Sequence, residues 1–303
     1  MTSRPSILTT AEGTTSSAFG APEWSLVATV SVIWGASFLL IANGLDSFNP
    51  FTVGFLRVSL GALTLNAMPA ARRRSIDRAD WPRVALLAVV WMAVPLTIFP
   101  VAEQWVSSSL AGMLNGGVPI ASAMLAAVLL RRRPGRTQSI GLPVGFVGIV
   151  LVGLPSLGHG ASEVRGVLLI GVAILCYGVA SNLSVPLTQK YGSVVTQSRA
   201  QTLGALLTMP AGLWGLTQKH EVAAGPVLSI LALGIGGTGL AFMLASKLFG
   251  RVGATRGSIV AYLIPIVSIV LGVAFRNDTV HALSIVGLML VLSGAYTASR
   301  AGR

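Results

Sequence analysis

Mostly apolar stretches of about 20 residues alternate with short polar breaks from residue 24 to residue 298. An α-helix rises about 1.5 Å per residue, so about 20 apolar residues cross the hydrocarbon core of a bilayer, which is roughly 30 Å thick. The pattern therefore predicts an all-α integral membrane protein. Its ten predicted transmembrane helices cover residues 24–43, 50–69, 83–101, 107–130, 137–154, 166–186, 195–216, 225–246, 253–275 and 280–298.

One part of this pattern occurs twice. Residues 107–150, shifted by 146 positions without a gap, align with residues 253–296 and share seven identities in 44 pairs. Each copy has an apolar segment with a central proline, a polar break and an apolar segment that contains at least two glycines. The identical pairs are Pro119/Pro265, Ile120/Ile266, Ser122/Ser268, Leu125/Leu271, Gly141/Gly287, Leu142/Leu288 and Gly148/Gly294. Such a repeat predicts two related halves.

Each half contains five predicted helices, an odd number, so the second half enters the bilayer from the opposite face. We therefore expect two inverted five-helix repeats, at residues 24–154 and 166–298. Carriers built from inverted repeats bind their solute at the repeat interface and alternate its access to the two sides. Residues 1–23 have no apolar core of the kind found in signal peptides, and we expect them to form a disordered cytoplasmic tail.

The amino-acid composition is that of a membrane protein. The 303 residues are 53% hydrophobic and 10% charged, and the mean hydropathy is +0.78. Soluble domains carry about 25% charged residues, so little of this chain is available for a soluble domain. No nucleotide-binding loop of the Walker type is present, which excludes ATP-driven transport by this chain alone, and no cofactor is expected.

The net charge is +12, from 21 Lys and Arg against 9 Asp and Glu, and the basic residues are unevenly distributed between the two predicted sides of the membrane. With a cytoplasmic N-terminus, 15 of the Lys and Arg residues fall in cytoplasmic tails and breaks, and three fall in external breaks. Cytoplasmic loops of membrane proteins are enriched in Lys and Arg. We therefore expect both termini in the cytoplasm of a multi-pass protein of the cell (inner) membrane. The lipid bilayer explains the charge, and no nucleic-acid partner is expected.

Several local features occur in a familiar order. A Trp-Gly-Ala-Ser-Phe run occupies residues 34–38, Arg57 lies in the second predicted helix, and Pro119 and Pro265 lie in the fourth and ninth. In this order on ten apolar segments, residues 24–298 resemble the EamA-like family of the drug/metabolite transporter superfamily. The resemblance implies a ten-helix carrier, most often an exporter, that moves a small-molecule solute. Because each half finds its inverted partner in the same chain, a monomer can suffice.

Arg57 is the sharpest candidate for a functional residue. An arginine at mid-depth in a bilayer costs roughly 2.5–3.5 kcal/mol on insertion scales. Its functional interpretation is a cation in the cavity that binds an anionic or zwitterionic solute. The alternative is a side chain that reaches to the interface or caps backbone carbonyls. No Asp or Glu lies inside a predicted helix, which disfavours cationic solutes and favours neutral, zwitterionic or anionic metabolites of the amino-acid or nucleoside type.

Further candidates are aromatic or polar. Trp34 and Tyr177 occupy equivalent places in the two halves, each before a glycine, and form either a cavity wall or ordinary bundle packing. Glu103, after the third predicted helix, is a gate, a proton site or a solvated loop acid. Polar groups at membrane depth must find partners, so they face the cavity or a neighbouring helix. The full predicted set of solute-binding residues is Trp34, Ser37, Arg57, Glu103, Asn115, Tyr177, Asn182 and Tyr262.

Other functional classes fit less well. An enzyme would need a nucleophile, base or metal cluster at depth, but His159, His220 and His281 all fall in breaks without a carboxylate or cysteine at ligand spacing. We expect neither catalytic residues nor a metal site. The alternative to a secondary transporter is a membrane accessory or lipid-handling protein that carries no solute.

Overall fold

The computed structural model describes residues 19–129, 136–155, 160–218 and 222–299. This part of the chain is helical and contains no strand. We number its helices α1 (Ala21–Leu45), α2 (Pro50–Ala67), α3 (Arg78–Ala102), α4 (Ser108–Asn115), α5 (Val118–Leu129), α6 (Arg136–Gly153), α7 (Ala161–Tyr191), α8 (Ser193–Leu216), α9 (Ala224–Val252), α10 (Ala254–Gly257), α11 (Val260–Arg276) and α12 (Ala282–Ser299). We call α1–α6 the first half and α7–α12 the second half.

Several of these helices have the composition of membrane spans. In the described residues α1, α3, α7 and α9 are long and apolar enough to cross a bilayer, and α11, α12 and most of α6 are shorter apolar helices. The all-helical membrane architecture is thus confirmed. Residues 21–23, which the sequence analysis assigned to the tail, belong to the first turn of α1. Residues 1–18, His159 and His220 lie outside the described residues.

Two predicted helices are broken in the structure. The stretch 107–130 forms α4 and α5, separated by the turn at Gly116 and Gly117. Pro119 is the second residue of α5, where a missing backbone N–H costs nothing, so it begins a helix and does not kink one. The stretch 253–275 likewise forms α10 and α11 with a turn between them. The periodicity did not reveal either break, because both sides are equally apolar.

Two helices contain π-helical segments that the sequence pattern did not predict. One spans Ala88–Ala93 within α3, and the other spans Leu233–Leu240 within α9. A shift of 146 residues places 88–93 on 234–239, inside the second segment. The two segments therefore occupy matching positions in the two halves. Such segments have i→i+5 hydrogen bonds in place of the usual i→i+4 bonds, and they are frequent at functional sites.

Glycines bring α6 and α12 into close contact. A Cβ added to Gly148 would lie 2.6 Å from the backbone oxygen of Gly287, and one added to Gly287 would lie 2.7 Å from that of Gly148. Gly294 faces Gly141 in the same way, at 2.6 Å. The contact pairs run in opposite directions along the two helices, so α6 and α12 pack antiparallel. Small residues permit this close approach of helix backbones in a membrane.

Other helices of the first half also pack against helices of the second half. Helix α2 packs against α8 and against the π segment of α9, and α8 packs against the π segment of α3. Helix α1 packs against α11, and α7 packs against α5. Each contact thus has a counterpart in which the halves trade places, as in a two-fold symmetric interface. This arrangement leaves an interior space between the halves.

Candidate functional site

A cavity of about 680 Å³, its mouth included, lies between the two halves. Both halves supply its walls, through α1 to α5 on one side and α7, α9 and α11 on the other. The lining residues are Trp34, Ser37, Phe38, Ile41, Arg57, Trp91, Phe99, Asn115, Val118, Tyr177, Ser181, Phe242, Phe249, Ser258, Val260, Ala261 and Ile264.

One wall of the cavity consists of four linked aromatic rings. Phe242 contacts Trp34 and Trp91 edge to face, with ring centroids 5.0 Å and 5.3 Å apart. Trp91 also stacks on Phe249 at 6.0 Å with an angle of 12° between the ring planes. Edge-to-face and offset-stacked pairs are the favoured geometries of aromatic rings. The wall is therefore a mainly apolar aromatic surface to which both halves contribute.

A second aromatic group lies on α1, α3 and α7. Phe99 contacts Phe38 edge to face at 5.5 Å and stacks on Tyr177 at 5.9 Å. All three rings line the cavity. Together with the first group, they surround a space suited to a ligand with an apolar or planar body.

Arg57 is buried at this cavity, with 3% of its surface exposed. Its Nε donates a hydrogen bond of 3.2 Å to Oγ1 of Thr238, in the π segment of α9. The Thr238 hydroxyl in turn donates to the carbonyl oxygen of Leu233, five residues earlier, at 3.0 Å. Because the bond to Thr238 uses Nε, it leaves the two terminal guanidinium nitrogens for other acceptors. The side chain is thus buried in the protein and lines the cavity.

The π segment of α9 also binds Trp34 and Gln201. The Trp34 indole N–H donates to the carbonyl oxygen of Gly237 at 3.2 Å, and Nε2 of Gln201 donates to the carbonyl oxygen of Thr238 at 3.0 Å. In a regular α-helix the backbone carbonyl oxygens accept hydrogen bonds from the helix itself. A π-helical segment interrupts this pattern, so some of its carbonyl oxygens can accept bonds from other side chains. The segment therefore connects α1, α2 and α8 at one place beside the cavity.

Three more predicted residues line the cavity. The Ser37 hydroxyl bonds the carbonyl of Ile33 in its own helix at 2.9 Å. Asn115 ends α4, and its Oδ1 is buried without a hydrogen-bond partner among the described residues. Tyr177 presents its ring beside Phe99. Asn115 is therefore the polar group with the clearest capacity to accept a bond from a solute.

Glu103 does not line the cavity, but it interacts electrostatically with Arg57, the charged residue of the cavity lining. Its backbone N–H donates to the carbonyl oxygen of Phe99 at 2.9 Å, so it continues the last turn of α3. Both carboxylate oxygens are buried and accept no hydrogen bond from the described residues. Burial raises the pKa of Glu103 well above its usual range, Arg57 opposes this rise, and Asp278 adds to it. The carboxylate oxygens of Glu103 are therefore covered by protein, whereas those of a solvated loop acid would be exposed.

Asn182 and Tyr262 lie away from the cavity. Nδ2 of Asn182 donates to the carbonyl oxygen of Gly178 at 2.9 Å and to Oγ of Ser122 at 3.3 Å, which links α7 to α5. Tyr262 packs near the cluster around Ile120 at the contact of α5 and α12. Its neighbour Ala261 lines the cavity instead, because successive helical residues point about 100° apart.

The sequence did not single out several lining residues, notably Trp91, Phe99, Phe242, Phe249 and Ser258. An aromatic residue in an apolar stretch can face lipid, the protein core or the cavity, and the sequence pattern around it is the same in all three cases. One signal was available: Ser258 corresponds to Gly112 and Ala261 to Asn115 under the shift of 146 residues. Equivalent positions of the two halves can face the same central space.

Comparisons with known proteins agree with this architecture. The EamA-like transporter family matches residues 23–154 and again residues 164–300. A protein of Archaeoglobus fulgidus described as an uncharacterized transporter is 25% identical over 281 residues, which cover 92% of this chain and 99% of that protein. A probable terminal-alkyne amino-acid exporter of Streptantibioticus cattleyicolor is 26% identical over 282 residues, which cover 91% of this chain and 93% of the exporter.

A solved crystal structure shares the fold. It superposes with a TM-score of 0.68 at 21% identity and covers 92% of this chain and 97% of that chain. The family resemblance that the motifs predicted is confirmed by the two family matches. The chain is a membrane transporter and not an enzyme, and it belongs to the EamA-like transporter family.

Proposed function

We propose that this protein is a secondary transporter that exports small anionic or zwitterionic metabolites with an apolar body. The observation that carries this proposal is Arg57, the one charged side chain among the described residues that line the cavity. An arginine fork binds a carboxylate through two parallel hydrogen bonds, and it binds more strongly where water is excluded. The bond that Arg57 donates to Thr238 holds the guanidinium group at the interface of the halves.

The side chains of the cavity walls indicate which other groups the solute carries besides its anionic group. The two aromatic groups suit an apolar or aromatic side chain, while Ser37, Asn115 and Ser181 offer a few polar contacts. A carboxylate on Arg57 with its body between the rings is the arrangement expected for an amino acid. The relative named as an amino-acid exporter supports this class. A nucleoside lacks the anionic group and fits Arg57 less well.

The transport mechanism we propose is alternating access between two inverted repeats, each with five membrane crossings and with both termini in the cytoplasm. The reciprocal contacts of the halves, the matching π segments and the excess of Lys and Arg on one predicted side support it. Helix α1 is linked to the second half at both ends, by Glu23 with Arg251 at 3.1 Å and by Asp46 with Arg276 at 2.6 Å. Rocking of the halves would open these exposed pairs at little cost.

The test is efflux from proteoliposomes that contain the purified protein and a mixed pool of amino acids, aromatic monocarboxylates and nucleosides. Mass spectrometry of the external solution identifies what leaves faster than from empty liposomes. We expect a carboxylate-bearing solute with an apolar side chain to leave. Efflux of nucleosides alone would contradict the solute class. No efflux from folded protein would favour the accessory or lipid-handling alternative.

Variants of two arginines sharpen this test. Arg57→Ala should abolish efflux and Arg57→Lys should keep part of it, because a lysine retains the charge but not the planar fork. Arg199→Ala is the matched control, since Arg199 also lies inside a helix but bonds Asn66 and the carbonyl of Ala71 away from the cavity. Unchanged efflux in Arg57→Ala would exclude the anion-binding role.

A further inference from the structure

We infer that Glu103 is a proton-binding site coupled to the anion site at Arg57, so that a proton and an anionic solute bind and cross the membrane together. The inference rests on the proposed function, because it names the coupling ion and the sign of coupling for the same cavity. It has three supports in the structure: the position of Glu103 directly after α3, the environment of its carboxyl group, and the charges that face it.

The position of Glu103 follows from its helix. Glu103 lies four residues after Phe99, and the backbone bond between them keeps the helical turn intact. Residues four apart lie on the same face of a helix. Phe99 lines the cavity and stacks on Tyr177. Glu103 therefore lies one turn beyond the aromatic wall, on the cavity side of α3.

The repeat gives the same position independently. Shifting residue 103 by 146 positions gives Phe249, which lines the cavity and stacks on Trp91. The first half thus carries an acid where the second half carries a ring of the cavity wall. An acid at a position that accepts phenylalanine in the related half is expensive to bury as an ion, and it indicates a role beyond packing.

The environment of Glu103 suits a proton better than a positively charged solute group. Both carboxylate oxygens are covered, and neither accepts a hydrogen bond from the described residues. Glu103 does not line the cavity, so an ammonium group of a solute would have no direct path to it. A proton can reach a covered carboxyl group through small fluctuations, whereas an ammonium group cannot.

The charges that face Glu103 come from two helices. Arg57 extends from α2, and Arg276 and Asp278 lie at the end of α11. Asp278 is engaged, since it accepts bonds of 2.8 Å from Oγ of Ser108 and from the backbone N–H of Ser109. Arg276 is paired with Asp46. From α7, the hydroxyl-bearing ring of Tyr177 stacks next to the same turn of α3.

Arg276 is already paired with Asp46, so Arg57 is the cation that can interact with both Glu103 and an anionic solute. Its charge sets the sign of the coupling between proton binding and anion binding. An ionised Glu103 is stabilised by the positive charge of Arg57. An anion that binds Arg57 neutralises this charge and so makes Glu103 hold its proton more tightly. By linkage, a protonated Glu103 makes Arg57 bind the anion more tightly by the same factor. One proton and one negative charge move as a neutral pair, so the solute is exported where its outward gradient exceeds an inward gradient of protons.

The first test measures binding of phenylacetate to the full-length protein in nanodiscs, through the fluorescence of the cavity tryptophans. We expect wild-type affinity to fall about tenfold between pH 5.5 and pH 8, a typical size for coupled sites. Glu103→Gln, a mimic of the protonated acid, should bind equally at both pH values and as tightly as wild type at pH 5.5. Glu163→Gln, a carboxylate variant outside the site, should behave like wild type. An unchanged pH dependence in Glu103→Gln would overturn the inference.

The second test separates a proton site from an ammonium ligand. In weakly buffered solution with a pH-sensitive dye, wild type should take up protons when phenylacetate binds, and Glu103→Gln should take up none. Phenylalanine, which adds an ammonium group, should respond to Glu103→Gln as phenylacetate does. A loss of affinity in this variant for phenylalanine alone would identify Glu103 as an ammonium ligand and overturn the inference.

A third measurement needs no solute and separates the two proposals. Infrared difference spectra of wild type minus Glu103→Gln should contain the band of a protonated carboxyl group that disappears as the pH rises from 5 to 9. If neither probe binds and nothing is carried while this band titrates, the proposed function fails and the proton site stands. If solutes are carried but no such band exists, the proton site fails and the proposed function stands.

Discussion

The Nε of Arg57 in α2 donates a hydrogen bond to the Thr238 hydroxyl in α9, across 181 residues of sequence and across the interface of the two halves. Thr238 lies in a π-helical segment, and Arg57 lines the central cavity. The one cation of the described cavity lining is therefore positioned by a special backbone feature of the opposite half. Movement of the halves against one another would change the position of Arg57 and the shape of the cavity together.

Thr238→Val should weaken solute binding, because it removes the acceptor that fixes Arg57 while keeping the shape of the side chain. A hydrogen bond to a charged group contributes about 1.5–3 kcal/mol, so we expect at least a tenfold loss of apparent affinity. Thr238→Ser should restore most of it. The measurement is the concentration dependence of efflux. Thr208→Val is the control, since the bonds of Thr208 within the described residues go to carbonyls of its own helix. Equal affinities in both valine variants would contradict this role.

Asn115 and Asn182 should respond differently to the same change. Asn115→Ala should lower solute affinity with little effect on stability, because Asn115 lines the cavity and its Oδ1 has no partner among the described residues. Asn182→Ala should lower the free energy of unfolding by about 1 kcal/mol and leave solute affinity unchanged, because Asn182 links α7 to α5. Thermal unfolding in detergent and binding titrations separate the two effects. A reversed outcome would place Asn182 in the solute site.

Gly148→Ala should destabilise the contact of α6 with α12. The added methyl group would lie 2.5 Å from the backbone nitrogen of Val291, and backbone cannot give way as a side chain can. Overpacking of this kind costs about 1–3 kcal/mol. Gly171→Ala is the matched control, since no described atom outside its own stretch of helix lies within 4 Å of the added methyl group, and it should be neutral or slightly stabilising. Thermal unfolding measures both, and equal unfolding temperatures would contradict this packing.

Glu103 should make stability depend on pH in a defined direction. Its pKa in the folded protein is raised by burial above the unfolded value of about 4.3. The folded state therefore binds more protons in this window, and stability falls as the pH rises from the unfolded pKa through the folded pKa. Glu103→Gln should remove this part of the pH dependence and unfold at a higher temperature than wild type at pH 8. A lower unfolding temperature at pH 8 would indicate that ionised Glu103 stabilises the fold.

The chain's own sequence determined the class of the protein, the approximate positions of its helices and its family. Apolar stretches long enough to cross a bilayer, short breaks and the repeated Pro and Gly positions are all local features. Arg57, Trp34, Ser37, Asn115 and Tyr177 were visible as candidates because a cation, a polar group or an aromatic residue beside glycine stands out in an apolar stretch. All five line the cavity.

The tertiary structure alone decided which side of each helix faces the cavity. In a membrane both lipid and protein core are apolar, so a helix that is apolar all round gives no sign of its inner face. Ala261 thus lines the cavity while Tyr262 does not, and Phe99 and Trp91 were indistinguishable from lipid-facing residues. The burial of Glu103 and the bond of Arg57 to a π segment depend on helices from both halves. They exist only once those helices have packed together.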